Sequence, residues 1–336
     1  MAAAGPSRVE LAGRRSLARA CPTLLVVNMF SAENYQLIDF GEGRRLERFG
    51  PLVLDRPCPS AEGLPRDDPS AWGRADARFQ RTRGDEGRWI DARGLPPRWT
   101  VAYGPLVLEL KRTEFGQVGL FPEQQVNWDW ILAAAPRIAP AQKYVRLSSL
   151  TEQTGQAGKP DVPVRVLHLF AYTGAATLAA AAAGAEVTHV DAARMAVAGA
   201  RRNGVLSGLS AAKIRWIVED ALKYAARELK RGSRYDAVIL DPPSYGHGPD
   251  GEPWVIEKQL PRLLEICGQL TAGRRRWVLL TCHTPQLGTE CLRSMLAEAL
   301  DAGGPGLLTA GPLTLPAAGG RHLPSGVVVR WEAMDA

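Results

Sequence analysis

From residue 164 onward, short apolar runs alternate with longer segments of helical periodicity, and this alternation restricts the fold more than any other feature. Strands that alternate with helices along a chain form a parallel sheet with helices on both faces. The sequence therefore predicts an α/β fold built on a sheet of seven strands. The predicted strands are residues 164–170, 186–191, 214–220, 235–241, 277–282, 307–315 and 327–332.

Ahead of this pattern, short alternating runs separated by Gly, Pro and Asp are typical of β-hairpins. The 336 residues are enough for two domains. We therefore expect a flexible leader over residues 1–33, a small β-rich domain over 34–115 and the main α/β domain over 116–336. The first twenty residues lack the apolar segment of a secretory signal.

Composition and charge indicate which binding partners and which cellular compartment to expect. A net charge of +6 slightly favours an anionic partner such as nucleic acid, although a solvated basic surface gives the same value. The five cysteines are scattered without a Cys-x-x-Cys pair, and no apolar run approaches the ~20 residues of a membrane helix. We expect a cytoplasmic protein with no bound metal and no membrane segment, and leave open whether it forms a homodimer.

The turn after the first of the seven strands reads Leu169-Phe-Ala-Tyr-Thr-Gly174. A glycine between a strand and a helix lets the backbone approach a ligand, and a helix N-terminus favours a carboxylate. The Gly-x-Gly-x-x-Gly pattern of dinucleotide sites is incomplete, which disfavours a nicotinamide oxidoreductase. A tight turn without a ligand is the simpler alternative.

Acidic residues close the next two strands. Asp191 follows Gly174 by 17 positions and could accept hydrogen bonds from both hydroxyls of a ribose. Asp220 could accept a hydrogen bond from the amino group of an adenine. Both aspartates could instead be helix N-caps, and the two roles are compatible.

The most specific motif is Asp241-Pro-Pro-Ser-Tyr245, at the end of the fourth strand. Two prolines fix an extended backbone and remove two donors, so Asp241, Pro242 and the neighbouring carbonyl groups could hold an exocyclic amine or a base edge. Tyr245 could stack on a base. A rigid turn is the alternative, but it does not explain the acid.

These motifs resemble those of class I S-adenosylmethionine-dependent methyltransferases, and more narrowly the group that modifies large-subunit ribosomal RNA at cytosine carbon-5 or guanine N7. The resemblance covers about Asn34 to Glu332. It implies a Rossmann-like, seven-stranded class I methyltransferase sheet and S-adenosylmethionine as cofactor. Its carriers are residues 35–40, 46–50, 119–124, 169–174, 190–191, 219–220, 240–245 and 323–326.

The resemblance also implies roles for single residues. The loop after the first strand holds the methionine part of the cofactor, the next acid holds the ribose, and the third strand's acid lies near the adenine. The segment 120–124 closes over the cofactor. The candidate cofactor-binding residues are Gln124, Phe170, Tyr172, Thr173, Gly174, Asp191, Asp220 and Asp241.

A fifth strand end reads Thr281-Cys-His-Thr284. Methylation of cytosine carbon-5 needs a thiolate, and Cys282 stands where it could be that nucleophile. A small buried residue at a strand end is the favoured alternative. His283 could act as a base. The candidate catalytic residues are Asp241, Pro242, Tyr245 and Cys282.

The function predicted from these residues is methylation of an RNA base, with ribosomal RNA as the prime substrate. The β-rich module is too short to hold a separate RNA-binding domain as well. Two alternatives stay open: a methyltransferase of a small molecule or protein, and an RNA-assembly module that binds the cofactor without turnover. Arginine clusters such as Arg274–Arg276 could grip phosphates or be solvated turns.

Overall fold

The computed structural model describes residues 30–84, 86–90, 94–135, 163–300 and 306–334. Most of the expected leader lies outside these ranges. The β-rich region contains a five-stranded sheet in the order β1-β2-β3-β4-β5 and a separate hairpin of β6 and β7. These strands are β1 (Tyr35–Gly41), β2 (Arg44–Phe49), β3 (Leu52–Pro57), β4 (Ala77–Arg83), β5 (Glu86–Ile90), β6 (Trp99–Tyr103) and β7 (Leu106–Leu110).

The main sheet has seven strands within the described residues, as predicted. They are β8 (Arg165–Leu169), β9 (Glu186–Asp191), β10 (Ile214–Val218), β11 (Ala237–Leu240), β14 (Trp277–Cys282), β15 (Gly306–Pro316) and β16 (His322–Ala333). A short hairpin of β12 (Tyr245–His247) and β13 (Pro253–Val255) follows β11. The helices are α1 (Gln125–Ala134), α2 (Ala175–Ala182), α3 (Arg194–Leu206), α4 (Ala221–Lys230), α5 (Ile256–Thr271) and α6 (Thr289–Leu300). None of the described helices is long and apolar enough to cross a membrane.

The order of the strands creates a crevice. The sheet runs β10-β9-β8-β11-β14-β16-β15, and β16 is antiparallel to its neighbours β14 and β15, so the other six strands share one direction. The chain moves outward from β8 in one direction and then returns to place β11 on the other side of β8. Ligands of open α/β sheets bind at such a reversal, outside the carboxyl ends of the strands. The crevice therefore lies between the residues that follow β8 and β11.

Local chemistry explains how these elements begin. Gly174 precedes α2 with a φ of +86°, and a Cβ at this position would lie 2.8 Å from the Cβ of Ala200 on α3. Only glycine allows this backbone and this close packing. Asp220 is the N-cap of α4, where its carboxylate accepts a hydrogen bond from the amide of Lys223 at 2.8 Å.

Strand ends differ slightly from the prediction. β10 ends at Val218 and β11 at Leu240, so Asp220 and Asp241 lie beyond their strands rather than closing them. The final strand begins at His322, well before the predicted residue 327, because it pairs with β15 along its whole length. These segments contain polar residues or a Pro-Ser-Gly sequence that interrupt the apolar pattern, so the strand ends are hard to locate from the sequence.

The β-rich region and the main sheet share one core. A single cluster of buried side chains contains Tyr35 and Phe49 of the β-rich sheet, Trp128 of α1, and Val166 and Leu279 of the main sheet. The predicted domain boundary between residues 115 and 116 stays a prediction. The shared core means that both regions are needed to bury this apolar surface.

Arg321 connects the β-rich region to the main sheet through hydrogen bonds. It lies between β15 and β16, and its guanidinium donates to Oδ1 of Asp39 at 2.9 Å and to the carbonyl of Phe40 at 2.8 Å. Asp39 is 2% exposed and also accepts a hydrogen bond from Nε1 of Trp72 at 2.8 Å. The β15–β16 hairpin is thereby fixed to the edge strand of the β-rich sheet.

Replacing Arg321 with methionine should lower the free energy of unfolding by about 2 kcal/mol, because the buried carboxylate of Asp39 loses a charged donor. Thermal and urea unfolding measure this loss. Arg293→Met is the matched control, since Arg293 pairs with Glu290 on the exposed face of α6 and such pairs contribute about 0–1 kcal/mol. Equal losses in both variants would contradict the linking role of Arg321.

Candidate functional site

The loop after β8 has a strained backbone. Phe170 and Tyr172 have φ angles of +56° and +47°, in the left-handed region that non-glycine residues seldom adopt. The amide of Tyr172 donates a hydrogen bond of 2.7 Å to Oδ2 of Asp191 at the end of β9. Each such residue costs about 1–3 kcal/mol and persists only where its surroundings hold it, which is common at functional sites.

Contacts on two further sides hold this loop. Oγ1 of Thr173 donates to the carbonyl of Gly119 at 2.8 Å, and Nδ2 of Asn203 on α3 donates to the carbonyl of Thr173 at 3.0 Å. The ring of Tyr172 lies 5.4 Å from that of Phe121. The segment ahead of α1 therefore packs directly against the loop after β8.

Asp191 does not serve as the N-cap of α3, the helix that follows it. The N-cap of α3 is Ala193, and Oδ1 of Asp191 accepts a hydrogen bond from the Ala193 amide at 2.8 Å. The N-cap alternative for Asp191 was therefore wrong, whereas Asp220 does cap α4. Burial raises the pKa of Asp191, although its two backbone donors act in the opposite direction. Each carboxylate oxygen still has a lone pair for a further donor.

Asp241 is held by three side chains from two segments of the chain. Oδ1 accepts a hydrogen bond of 2.5 Å from Oγ1 of Thr281 at the end of β14 and lies 3.3 Å from Nε2 of His283. Oδ2 accepts a hydrogen bond of 3.2 Å from Nε2 of Gln124. Burial alone would raise the pKa of Asp241, but His283 and Thr281 outweigh it and hold this pKa below its ordinary value. The carboxylate is therefore ionised at neutral pH.

His283 is the charged partner of this carboxylate. Burial opposes protonation, yet the hydrogen bond to Asp241 and its negative charge raise the pKa of His283 to about 9. About a third of the side chain, 36%, remains exposed to solvent. An imidazole that stays protonated at neutral pH is a donor there and not a base, so the predicted role of His283 as a base is disfavoured.

Gln124 connects Asp241 to the antiparallel strand β16 through a chain of hydrogen bonds. Oε1 of Gln124 accepts a hydrogen bond of 2.7 Å from Nδ2 of Asn127 on α1. Oδ1 of Asn127 in turn accepts one of 2.6 Å from Arg330 of β16. The orientation of the Gln124 amide is therefore fixed from both ends.

A cleft of about 510 Å³ opens above these residues, and we call it the main cleft. It brings together six of the predicted site residues. A smaller inner pocket of about 50 Å³ adjoins it and is lined by Gln124, Thr173 and Gly174. Tyr245 is 59% exposed, with its hydroxyl 3.0 Å from Nε2 of His247, and does not line the main cleft. The predicted residues of the main cleft are Phe170, Tyr172, Asp191, Asp220, Asp241 and Pro242.

Among the residues of this cleft that sequence reasoning missed are the aromatic side chains of Trp254 and Phe121. Trp254 lies at its wall, with its ring 4.8 Å from that of Phe170 and its Nε1 donating to the carbonyl of Pro243 at 2.7 Å. Phe121 lies between the cleft and the inner pocket. A tryptophan ahead of a helix carries no signal of this role, and only the segment Gly119–Gln124 pointed to Phe121.

Cys282 is placed away from the main cleft. It is 1% exposed, packs in the hydrophobic cluster beneath α5 and α6, and lines a second cavity of about 630 Å³. Burial raises the pKa of its thiol. A buried thiol with a raised pKa is a poor nucleophile at neutral pH, so the geometry favours the structural alternative.

The arginine cluster after α5 is mostly structural. Arg274 pairs with Asp236 at 2.7 Å, and Arg275 is 6% exposed and donates to the carbonyl groups of Gly268 and Leu300. Within the residues that the structure covers, no three His, Cys, Asp or Glu side chains are grouped so as to hold a metal ion.

Comparison with known proteins gives consistent matches. A family model described as S-adenosylmethionine-dependent methyltransferase matches residues 145–299. The crystal structure of the SAM-dependent methyltransferase from Agrobacterium tumefaciens superposes with a TM-score of 0.77 and 36% identity, covering 90% of this chain and 92% of that chain.

Two curated relatives match over shorter stretches. Ribosomal RNA large subunit methyltransferase I from Aeromonas salmonicida is 37% identical over 82 residues, which are 24% of this chain and 21% of that protein. Ribosomal RNA large subunit methyltransferase K/L from Shewanella sp. is 36% identical over 85 residues, 25% of this chain and 12% of that protein. The matches thus span about a fifth and about an eighth of these relatives.

The pKa of His283 should be measurable by NMR titration at about 9 and should fall below that value in Asp241→Asn, where burial acts without the opposing charge. Since this pKa lies above the ordinary 6.5, the ion pair stabilises the fold fully below about pH 6.5, and that contribution is lost as the pH rises through about 9. Asp250→Asn, at an exposed carboxylate paired with Lys223, should leave the titration unchanged. An unshifted His283 in Asp241→Asn would contradict the pairing.

Proposed function

The chain belongs to the S-adenosylmethionine-dependent methyltransferases, and from this premise we propose that it methylates a base of RNA, with ribosomal RNA as the first candidate substrate. The observation that carries the proposal is the ionised Asp241 beside two prolines at the wall of the main cleft. A fixed carboxylate at this place can accept from an N–H group of a planar base. The two relatives whose names specify ribosomal RNA add support.

The main cleft fits the cofactor by its chemistry. We propose that Asp191 accepts from the ribose hydroxyls, since its oxygens keep free lone pairs at the end of β9. Asp220 would lie near the adenine, and the rings of Phe170 and Tyr172 would flank the cofactor. Thr173, Gly174 and Gln124 would enclose its methionine part from the inner pocket.

When bound, the cofactor supplies a methyl group on a positively charged sulfur, and such a group needs alignment more than acid–base help. We propose that Asp241 orients the accepting base through its carboxylate. Pro242 lacks an amide hydrogen and so does not compete for that carboxylate. We propose that Tyr245 stacks on a flanking base at the exposed rim. Cys282 has no part in this proposal.

Exposed arginines on the β-rich region offer contacts for a phosphate backbone. Arg78 and Arg83 on β4 and Arg88 on β5 are all exposed. Arginines of this kind give an affinity for RNA that falls steeply with salt. We also propose a cytoplasmic location, and a homodimer stays a prediction. Methyl transfer to a small molecule or protein is the outcome to expect if RNA accepts no label.

Asp191→Asn should raise the dissociation constant for S-adenosylmethionine at least about tenfold, or about 1.4 kcal/mol, because one acceptor oxygen becomes a donor. Isothermal titration calorimetry measures this constant. Glu186→Gln on the same strand is the control, since Glu186 pairs with the exposed Lys213 and does not line the main cleft. Equal cofactor affinity in wild type and Asp191→Asn would rule out the ribose role.

Asp241→Ala should lower methyl transfer at least about 10²-fold while cofactor affinity is largely kept, because the accepting base loses its orientation. The assay counts radiolabel passed from S-adenosylmethionine to undermodified large-subunit RNA. Asp250→Ala serves as a control at an exposed carboxylate. Absence of label with the wild-type enzyme would remove RNA as substrate, and loss of cofactor binding in Asp241→Ala would contradict the orienting role.

A further inference from the structure

Two buried histidines beside the inner pocket are joined by one hydroxyl group. Nδ1 of His168 on β8 lies 2.7 Å from Oγ1 of Thr177 on α2, and the same oxygen lies 2.9 Å from Nδ1 of His189 on β9. His168 is 4% exposed, and both His189 and Thr177 are completely buried. The two neighbouring strands and α2 are thereby joined by a polar chain that the roles proposed above do not use.

The single hydroxyl hydrogen of Thr177 fixes the protons of both rings. Burial lowers the pKa of His168 to about 4 and that of His189 well below its ordinary value, so each neutral imidazole carries one N–H group. Thr177 can donate to one Nδ1 atom only, so it accepts from the other. Nε2 of His189 is buried without a partner among the described residues, and unpaired buried N–H groups are rarer than unpaired acceptors. His189 therefore donates from Nδ1 to Thr177, Thr177 donates to His168, and the proton of His168 lies on Nε2.

The Nε2–H group of His168 faces the inner pocket. His168 lines this pocket together with Asp241 and Thr281. Its Nε2 makes no hydrogen bond to another described residue but, unlike Nε2 of His189, keeps some accessible surface. Because the rest of the residue is enclosed by protein, this surface opens into the pocket that the residue lines. A donor without a partner therefore points into the inner pocket.

The first turn of α2 brings backbone donors to the same pocket. Gly174 is the N-cap of α2, and its residue type leaves the helix without a side-chain cap. Ala175 and Ala176 follow it and line the inner pocket with His168. The first amides of a helix have no partner within the helix, and they favour a negatively charged group. The pocket therefore combines backbone donors with a buried imidazole N–H group, which suits a carboxylate.

The charges around the inner pocket permit such a group. Asp241 is the only acidic or basic side chain, apart from the neutral His168, among the described residues that line it. The carboxylate of Asp241 lies 3.3 Å from Nε2 of His283, whose pKa is raised to about 9 by this contact, so that the imidazole is protonated at neutral pH. The pair of Asp241 and His283 is therefore neutral overall and does not exclude a carboxylate from the pocket.

We propose that His168 is a further cofactor-binding residue, whose Nε2–H group donates to the carboxylate in the methionine part of S-adenosylmethionine. Thr177 and His189 are positioning residues, because they hold the proton of His168 on the nitrogen that faces the pocket. The inference rests on the proposed function, since it adds these residues to the proposed cofactor site.

The test compares two ligands that differ only beyond the sulfur atom. S-adenosylhomocysteine carries the carboxylate, whereas 5′-methylthioadenosine ends in a methyl group on sulfur. Isothermal titration calorimetry of the full-length protein measures both dissociation constants. His168→Asn should raise the constant for S-adenosylhomocysteine at least about tenfold, because the carboxylate loses a donor, and should leave that for 5′-methylthioadenosine unchanged. A purely structural role of His168 would weaken the binding of both ligands equally.

His168→Gln and His322→Asn are the matched variants. A glutamine amide reaches the position of Nε2, so His168→Gln should keep more of the affinity for S-adenosylhomocysteine than His168→Asn. His322 is exposed on β16 with its Nδ1 3.3 Å from Oγ1 of Thr314, so His322→Asn changes a similar pair away from the inner pocket and should leave both constants unchanged. Equal losses for the two ligands in folded His168→Asn, or no loss for S-adenosylhomocysteine, would overturn the inference.

Nitrogen-15 NMR of the histidine rings tests the tautomers without a substitution. The wild type should show the Nε2–H form of His168 and the Nδ1–H form of His189. The Nε2–H signal of His168 should move on addition of S-adenosylhomocysteine, and by much less with 5′-methylthioadenosine. Thr177→Val should mix the two tautomers of His168. A proton on Nδ1 of His168 in the wild type would contradict the inference, and this spectrum decides if His168→Asn does not fold.

The labelling assay separates this inference from the proposed function. Label in RNA together with an unchanged preference for S-adenosylhomocysteine in His168→Asn would leave RNA methylation standing and overturn the role of His168. Loss of that preference in His168→Asn without label in RNA would support the role of His168 and redirect the search to another methyl acceptor.

Discussion

The hydrogen bonds to the carboxylate of Asp241 join the end of β14 to the segment before α1. Thr281 and His283 approach it from the end of β14, and Gln124 approaches it from the segment before α1. Asn127 and Arg330 extend this network to β16. Because the donors come from separate elements, Asp241 has its orientation only when the parallel and antiparallel parts of the sheet are assembled together. The two prolines that follow Asp241 restrict the backbone conformation on its remaining side. The orientation of this one carboxylate therefore depends on the assembly of the whole edge of the sheet that carries the site.

The β-rich region packs against the main sheet beside the site and is not a separate appendage. Its aromatic residues share a core with the main sheet, and Arg321 fixes its edge strand to the β15–β16 hairpin. The second cavity exists because of this packing, since Arg45 comes from the β-rich sheet, whereas His283 and Gly326 come from the main one. With the accepting base held by Asp241 in the main cleft, the exposed surface of the β-rich region can contact the backbone of the same RNA. On the proposed function, the two regions therefore divide recognition and transfer between them.

The sequence predicted the parts of the site that follow from strand order. Parallel strands place their carboxyl ends at one edge, so Asp191, Asp220 and Asp241 could be expected to converge without any knowledge of their contacts. The left-handed backbones of Phe170 and Tyr172 could not be predicted, because non-glycine residues in that region are disfavoured and leave no pattern. The pairing of Asp241 with His283 depends on β11 and β14 being neighbours, and that of Asp39 with Arg321 depends on packing between the two regions. Strand ends were the least predictable because polar site residues interrupt the apolar pattern there.

The protonation states of Asp241 and His283 bear on how a methylated base would lose its proton. The pKa of Asp241 lies below its ordinary value and that of His283 lies at about 9, so at neutral pH the pair is a carboxylate and an imidazolium. A carboxylate stabilised in this way is a weak base, and an imidazolium cannot accept a proton, so neither matches the pKa near working pH that general base catalysis favours. The pair can still hold an N–H group by charge-assisted hydrogen bonding, which orients the lone pair or ring atom that is to be methylated. On the proposed function, the geometry therefore assigns alignment to Asp241 and His283, and the proton of the acceptor leaves to solvent through the open cleft after the new bond has formed.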